Sequence, residues 1–287
     1  MNRRDMFYNL EKRVTPKRLL NSVSQSYNNP MNDGKTLVLV EGYGDYRYYR
    51  KMLKEESVFI QSTSGCDNMN AILPILVKQQ KCLAIQDSDF LKMGQPKVVS
   101  ANILYTDYHD YEMSALADDD FRKRYLEVLK DNGCDVDINI ALTELYILSY
   151  YKLCNELHNF RTDFEPVNKL ICKVEKLDYN MIHGHIGSNS NGFHDITLGY
   201  LNGIIRSYPI DEDKKEYHLV NGHDLLNRLC FHSRGVVDED FLRDKLLELS
   251  ELSDFMKMNL YTLIVDWQNQ NCVSIVCKCS VNAVLCA

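Results

Sequence analysis

Thr36-Leu-Val-Leu-Val40 runs into Glu41-Gly42, and Cys82-Leu-Ala-Ile85 runs, through Gln86, into Asp87-Ser-Asp89-Phe90. Short runs of apolar residues bounded by a glycine or a polar turn read as buried strands. Between them lie Gly42 and Gly44, with Asp45 placed as a helix N-cap and Tyr46 to about Glu55 as the helix. Val58-Phe-Ile60 is a short second strand, and Ser62-Thr-Ser-Gly65 is a turn. A second helix follows, capped by Asp67 or Asn68 and running to about Gln80, with Met69, Ile72, Leu73 and Leu76 inward and a kink at Pro74. Strand, helix, strand, helix, strand in about 55 residues predicts an α/β fold with a small parallel sheet flanked by helices.

Working outward, a fourth strand is expected near Asn102-Ile-Leu-Tyr105, leading into Thr106-Asp-Tyr-His109-Asp-Tyr-Glu112. Residues 1–34 read as a lead-in ended by the turn cluster Asn28 to Gly34. Residues 35–115 form the core, 116–210 a helical insertion or subdomain, and 211–287 a return to the core with C-terminal helices. Within the insertion, His183 to Gly192 reads as a loop and Asp195 to Ile205 as a helix. Tyr217-His-Leu-Val220 reads as a last short strand running into Asn221-Gly-His-Asp224, with Asp224 as N-cap of the next helix. Asp238 to about Gln270 reads as two helices.

Three carboxylates then stand where open α/β sheets place their ligands, at the carboxyl ends of the strands. Glu41 and Asp87 are 46 residues apart, two strand–helix units, so both belong at one sheet edge. Asp87 and Asp89, two apart, would share a face if the segment stayed extended. Close carboxylates repel one another, and a hard cation such as Mg²⁺, with Mn²⁺ as an alternative, relieves that repulsion. Such a site polarises a phosphoryl group, activates water or stabilises a leaving oxygen, and Glu41 would serve as ligand or as general base. Taken singly, each acid is explained by strand ends and capping; the combination is more specific. Asp45, Glu112, His109 and His223 are supporting candidates, each with an ordinary capping or loop reading beside it.

The chain has 287 residues, 45% hydrophobic and 25% charged, ordinary for a globular protein, with a formal charge of −7. That balance disfavours broad nonspecific affinity for nucleic acid but leaves room for a local basic patch. Residues 1–35 supply one candidate, with seven basic and three acidic side chains. No apolar run approaches the ~20 residues of a membrane span, and no apolar signal core opens the sequence, so a cytoplasmic location is expected. The ten cysteines are scattered without a CxxC pair, and Cys272, Cys277, Cys279 and Cys286 match no zinc pattern. His183, His185 and His194 lack a fixed third and fourth ligand. There is no P-loop, dinucleotide fingerprint or nucleophile elbow. Tyr43, Tyr46, Tyr48 and Tyr49 cluster beside Glu41; most read as helix packing, and one or two would stack on bases if the substrate were single-stranded RNA.

Strand-Glu41-Gly with Asp45, then strand-Asp87-x-Asp89, resembles the TOPRIM domain of topoisomerases, primases and several nucleases. The resemblance covers about residues 35–115 and implies a small parallel sheet with Mg²⁺ held by Glu41, Asp87 and Asp89. With Tyr48-Tyr49, Asp89-Phe90, Tyr105 to Glu112 and Gly222-His-Asp-Leu-Leu226, the wider chain is similar to TOPRIM effectors of bacterial anti-phage operons, those of the PARIS system above all. That likeness implies a toxic ribonuclease, with tRNA among its candidate substrates, held inactive by an ABC-type ATPase partner and active as a homodimer. The loop after Glu41 is Gly-Tyr-Gly-Asp, where relatives often carry another acid before the aspartate. The alternatives are a noncatalytic regulatory subunit of an ATPase complex, a nuclease acting on DNA, and a primase-like or topoisomerase-like nucleotidyl transferase. The last is disfavoured because accessory domains and an evident tyrosine nucleophile are lacking.

Overall fold

A computed structural model describes residues 14–160, 162, 164–186, 197–208 and 214–276. Four strands, β1 (Thr36–Val40), β2 (Val58–Ser62), β3 (Cys82–Gln86) and β4 (Ile103–Tyr105), form one sheet in the order β2-β1-β3-β4. All neighbours pair in parallel. The chain is therefore α/β, as its alternation predicts. Central strands of a parallel sheet are covered on both faces, and β1 and β3 are buried at every position. The edge strands β2 and β4 are only partly buried.

The helices, in chain order, are α1 (Pro16–Tyr27), α2 (Tyr43–Met52), α3 (Cys66–Leu76), α4 (Tyr111–Leu116), α5 (Asp119–Asp131), α6 (Ile138–His158) and α7 (Glu165–Ile171). They continue with α8 (Tyr179–Ile186), α9 (Leu198–Ser207), α10 (Glu216–Leu219), α11 (Gly222–His232), α12 (Glu239–Leu249), α13 (Leu252–Phe255) and α14 (Asn259–Asn271). They belong to two compact units. Of the described residues, those in 14–86, 98–106 and 251–276 make up the first, and those in 87–97 and 107–250 make up the second. Residues 214–250, read from sequence as part of the return to the core, pack within the second unit.

In the first unit, Leu19 and Val23 of α1 and the inward face of α3 pack on Leu37, Leu39 and Ala84 of the sheet. Tyr48 and Tyr49 of α2 are 2% and 1% exposed and meet Phe255 of α13 edge to face, at 6.2 Å each. Trp267 of α14 donates from its indole N–H to the Asn102 side chain (3.2 Å) beside β4. In the second unit the long α6 packs against α11. Arg228 of α11, wholly buried, gives its guanidinium to Glu144 and to the carbonyls of Ile171, Val174 and Glu175, closing the end of α7.

Several local expectations are corrected. Tyr217-His-Leu-Val220 is no strand; its first three residues lie in the single helical turn α10, and the Tyr217 carbonyl accepts the His109 N–H at 3.0 Å instead of joining a sheet ladder. His183 to Ile186 belong to α8, where His183 stacks on Tyr179 at 5.1 Å; the rest of that expected loop lies outside the described residues, as do Cys277, Cys279, Cys286 and His194. Helix α3 is capped by Gly65 and stops at Leu76, two residues past Pro74, not at Gln80. Asp238 to Gln270 holds three helices, because Ser250 and Met258 break the run.

Candidate functional site

β1 and β3 run parallel with Val40 level with Ile85. Glu41 is the residue after β1 and Asp87 the residue after β3. The two acids thus follow neighbouring strands that end in the same direction.

Within the first unit, the Glu41 carbonyl accepts the Gly65 N–H at 3.0 Å and the Ser62 hydroxyl at 3.4 Å, which fixes the turn. Its side chain is half-buried. The N-cap of α2 is Gly42, not Asp45. Asp45 is the third helical residue, and its carboxylate reaches back to accept the Gly42 N–H at 2.9 Å. This is half of a capping box, favoured by the positive end of the helix. Asp45 is 8% exposed and committed to shaping the turn after Glu41.

Within the second unit, Asp87 and Asp89 do not share the face of an extended segment. β3 ends at Gln86, Ser88 is buried, and Asp89 has φ 45°, a left-handed conformation that turns the chain. Asp is one of the few non-glycine residues that adopts it readily. The Asp89 N–H donates to the His109 carbonyl at 2.9 Å. Its carboxylate lies 2.5 Å from the Lys97 ammonium, which also reaches the Asp87 carbonyl at 3.4 Å. Lys97 escaped the sequence reading: it follows Gly94-Gln-Pro in a loop without periodicity, and only its charge eight residues after Asp89 marks it.

His109 is 3% exposed, edge-on to Phe90 at 5.0 Å. Its Nδ1 lies 3.4 Å from Asp110 and 3.9 Å from Asp89, and neither ring nitrogen makes a hydrogen bond. Asp110 is occupied elsewhere. It caps α4 by accepting the Met113 N–H (2.9 Å) and also accepts the Gly222 N–H (2.6 Å) at the start of α11. One carboxylate thereby satisfies the N-termini of two helices. Its signature was present as Asp110-x-x-Met113 before an apolar run. Nearby, the His218 ring lies tilted against Tyr108 at 4.6 Å, and its pKa is pushed down to about 4 by burial and by Lys92, His109 and Lys215.

Glu112 and His223 meet in a different cluster. Arg243 lies 3.5 Å from Glu112 and 2.9 Å from Glu239, while His223 lies 2.8 Å from Glu239. Burial alone would lower the Arg243 pKa, but Glu112, Tyr111, Glu239 and Asp110 outweigh it and hold the guanidinium charged. Glu112 and His223 are thus members of an ion-pair network around Arg243. The N-cap of α11 is Asn221, not Asp224, whose buried carboxylate meets Lys152 at 2.5 Å.

The structure therefore brings Asp89, His109 and Asp110 together, and separately Glu112 with His223. Among the described residues, no three His, Cys, Asp or Glu side chains stand gathered as a ready metal cage. In chemistry the acids fit Mg²⁺, which takes oxygen donors and keeps several waters. Comparison with protein families, curated proteins and solved structures finds no match for this chain. No helix among the described residues is long and apolar enough to cross a membrane.

Proposed function

We propose that this protein is a Mg²⁺-dependent nuclease acting on RNA, with Asp87 and Asp89 as metal ligands and Glu41 as ligand or general base. The observation that carries this reading is the parallel pairing of β1 with β3, Val40 beside Ile85, each strand followed at once by an acid. When bound, the cation would supply Lewis-acid stabilisation of a phosphodiester. The chain's own residues prepare for it. The Asp45–Gly42 hydrogen bond fixes the turn that carries Glu41, and the left-handed Asp89 turns its carboxylate out of the strand direction. Lys97 keeps that carboxylate charge-compensated until the cation replaces it. The resemblance to anti-phage effectors of the PARIS type extends the proposal to a toxic ribonuclease restrained by an ABC-type ATPase, with tRNA a candidate substrate. The test is cleavage of total cellular RNA by wild type, Glu41→Ala and Asp87→Ala, with Mg²⁺ and with chelator. Cleavage confined to wild type with Mg²⁺ is expected; equal behaviour of all samples removes the proposal.

A second reading is favoured by one observation, the Lys97–Asp89 ion pair at 2.5 Å. Under it the acids are vestigial, and the protein is a noncatalytic subunit of an ATPase complex. Calorimetric titration with Mn²⁺ separates the two: a site present in wild type and lost in Asp87→Ala supports the nuclease, and no site supports the subunit.

A further inference from the structure

Four tyrosines lie in ten residues of α2, and the structure divides them. Tyr48 and Tyr49 are core residues, packed on each other and on Phe255. Tyr43 and Tyr46 are not. Their rings stack at 6.1 Å with an interplanar angle of 16°, and Tyr43 is 55% exposed. An exposed aromatic ring backed by a second, nearly parallel ring is held in a fixed plane. Packing does not account for it, since a helix burying its apolar face places such residues inward.

The helix that carries the pair has an excess of basic residues. Arg47, Arg50 and Lys51 are exposed on the same helix, at positions 4, 7 and 8 after Tyr43, which lie on its side of the helix; Arg50 is ion-paired with Glu55 at 2.9 Å. The single acid of the helix, Asp45, is buried and engaged with the Gly42 amide. In a chain of net charge −7, this helix carries three basic side chains against one acid. Stacking rings interleaved with arginines are what sequence-tolerant binding of single-stranded nucleic acid requires: rings for the bases, cations for the phosphates. Tyr43 is also two residues from Glu41, on the turn that leaves β1.

We infer that the Tyr43–Tyr46 pair, with Arg47, is a platform on which an unpaired base of single-stranded RNA stacks beside Glu41. The inference rests on the nuclease reading for its choice of ligand, and it is tested without catalysis. Fluorescence anisotropy of a labelled, unstructured 12-nucleotide RNA is measured with the full-length chain in EDTA, against a duplex of the same length. Tyr43→Phe, which keeps the ring, should bind as wild type does. Tyr43→Ala should bind roughly 5- to 150-fold more weakly, the worth of one stacked base, with an unchanged melting curve. Arg47→Ala should weaken binding and reduce its salt dependence. Binding of the single strand that is indifferent to Tyr43→Ala overturns the platform, as does failure of wild type to bind or equal loss of the duplex. RNA bound through Tyr43 but never cleaved with Mg²⁺ would leave the platform standing and remove the nuclease.

Discussion

Gly222 opens α11 where two other residues already occupy the space. A methyl group there would lie 2.6 Å from Asp110 Oδ1 and 2.6 Å from Glu112 Cβ, whereas ordinary contact begins near 3.4 Å. In Gly222→Ala the start of α11 must therefore retreat by 0.8 Å (3.4 less 2.6). The same movement would stretch the Gly222 N–H···Asp110 hydrogen bond from 2.6 Å toward 3.4 Å, past useful geometry. Overpacking contributes about 1–3 kcal/mol, and loss of a hydrogen bond to a charged acceptor about 1.5–3 kcal/mol. The expected destabilisation is about 3–5 kcal/mol, carried by the second unit. Urea unfolding followed by circular dichroism measures it, with both units fitted separately because a single two-state transition is not assured. Adding Asp110→Ala removes one collision and leaves that with Glu112, so the double variant should fall short of the summed single effects by about 1 kcal/mol. A Gly222→Ala protein within about 0.5 kcal/mol of wild type, the range of an inert surface change, would refute the close approach and the role of Asp110 in joining α4 to α11.

Lys97→Ala should tighten Mn²⁺ binding roughly tenfold, because a competing cation is taken from Asp89; calorimetry that finds affinity unchanged or weaker contradicts that competition. His218 gives a pH dependence of definite sign. Its folded pKa, about 4, lies below the ordinary value of 6.5, so the unfolded chain binds the extra proton first. Stability is full above pH 6.5 and falls as pH drops through the window down to about 4. For a half-buried ring the loss is about 1–2 kcal/mol after allowance for solvent screening. His218→Gln should flatten the profile of denaturation midpoint against pH over that window, and an unaltered profile refutes the assignment.

The sheet was legible because β1 and β3 are apolar at almost every position, the pattern of strands covered on both faces, and each stops at a polar residue or turn. Helix ends were read less well. Asp45 and Asp224 both resemble N-caps, yet each sits at the third helical position behind Gly42 and Asn221. A carboxylate at either place answers the same exposed amides, so residue type alone does not separate them. Tyr217 to Val220 read as a strand because four apolar-rich residues suit either a short strand or one helical turn. The acids at the strand ends were visible; their partners were not. Lys97, Arg243 and the second bond of Asp110 come from residues distant in sequence or in aperiodic loops, and no local pattern encodes which charge they meet.

The first unit is assembled from three pieces of chain, the last beginning at Glu251, after the long segment that builds most of the second. On the ribosome this fixes an order of events. When β4 has been made, Tyr48 and Tyr49 still lack Phe255, and Asn102 still lacks Trp267. From Thr106 to Val276 another 170 residues must be added, which takes roughly 10–35 s at about 5–20 residues per second. Through that interval Tyr48, Tyr49 and Asn102 await their last partners, while the described residues of the second unit are made one after another. A premature stop at codon 251 would release a polypeptide whose four strands are all present but whose Tyr48, Tyr49 and Asn102 never meet Phe255 and Trp267, a natural client for chaperones and proteases.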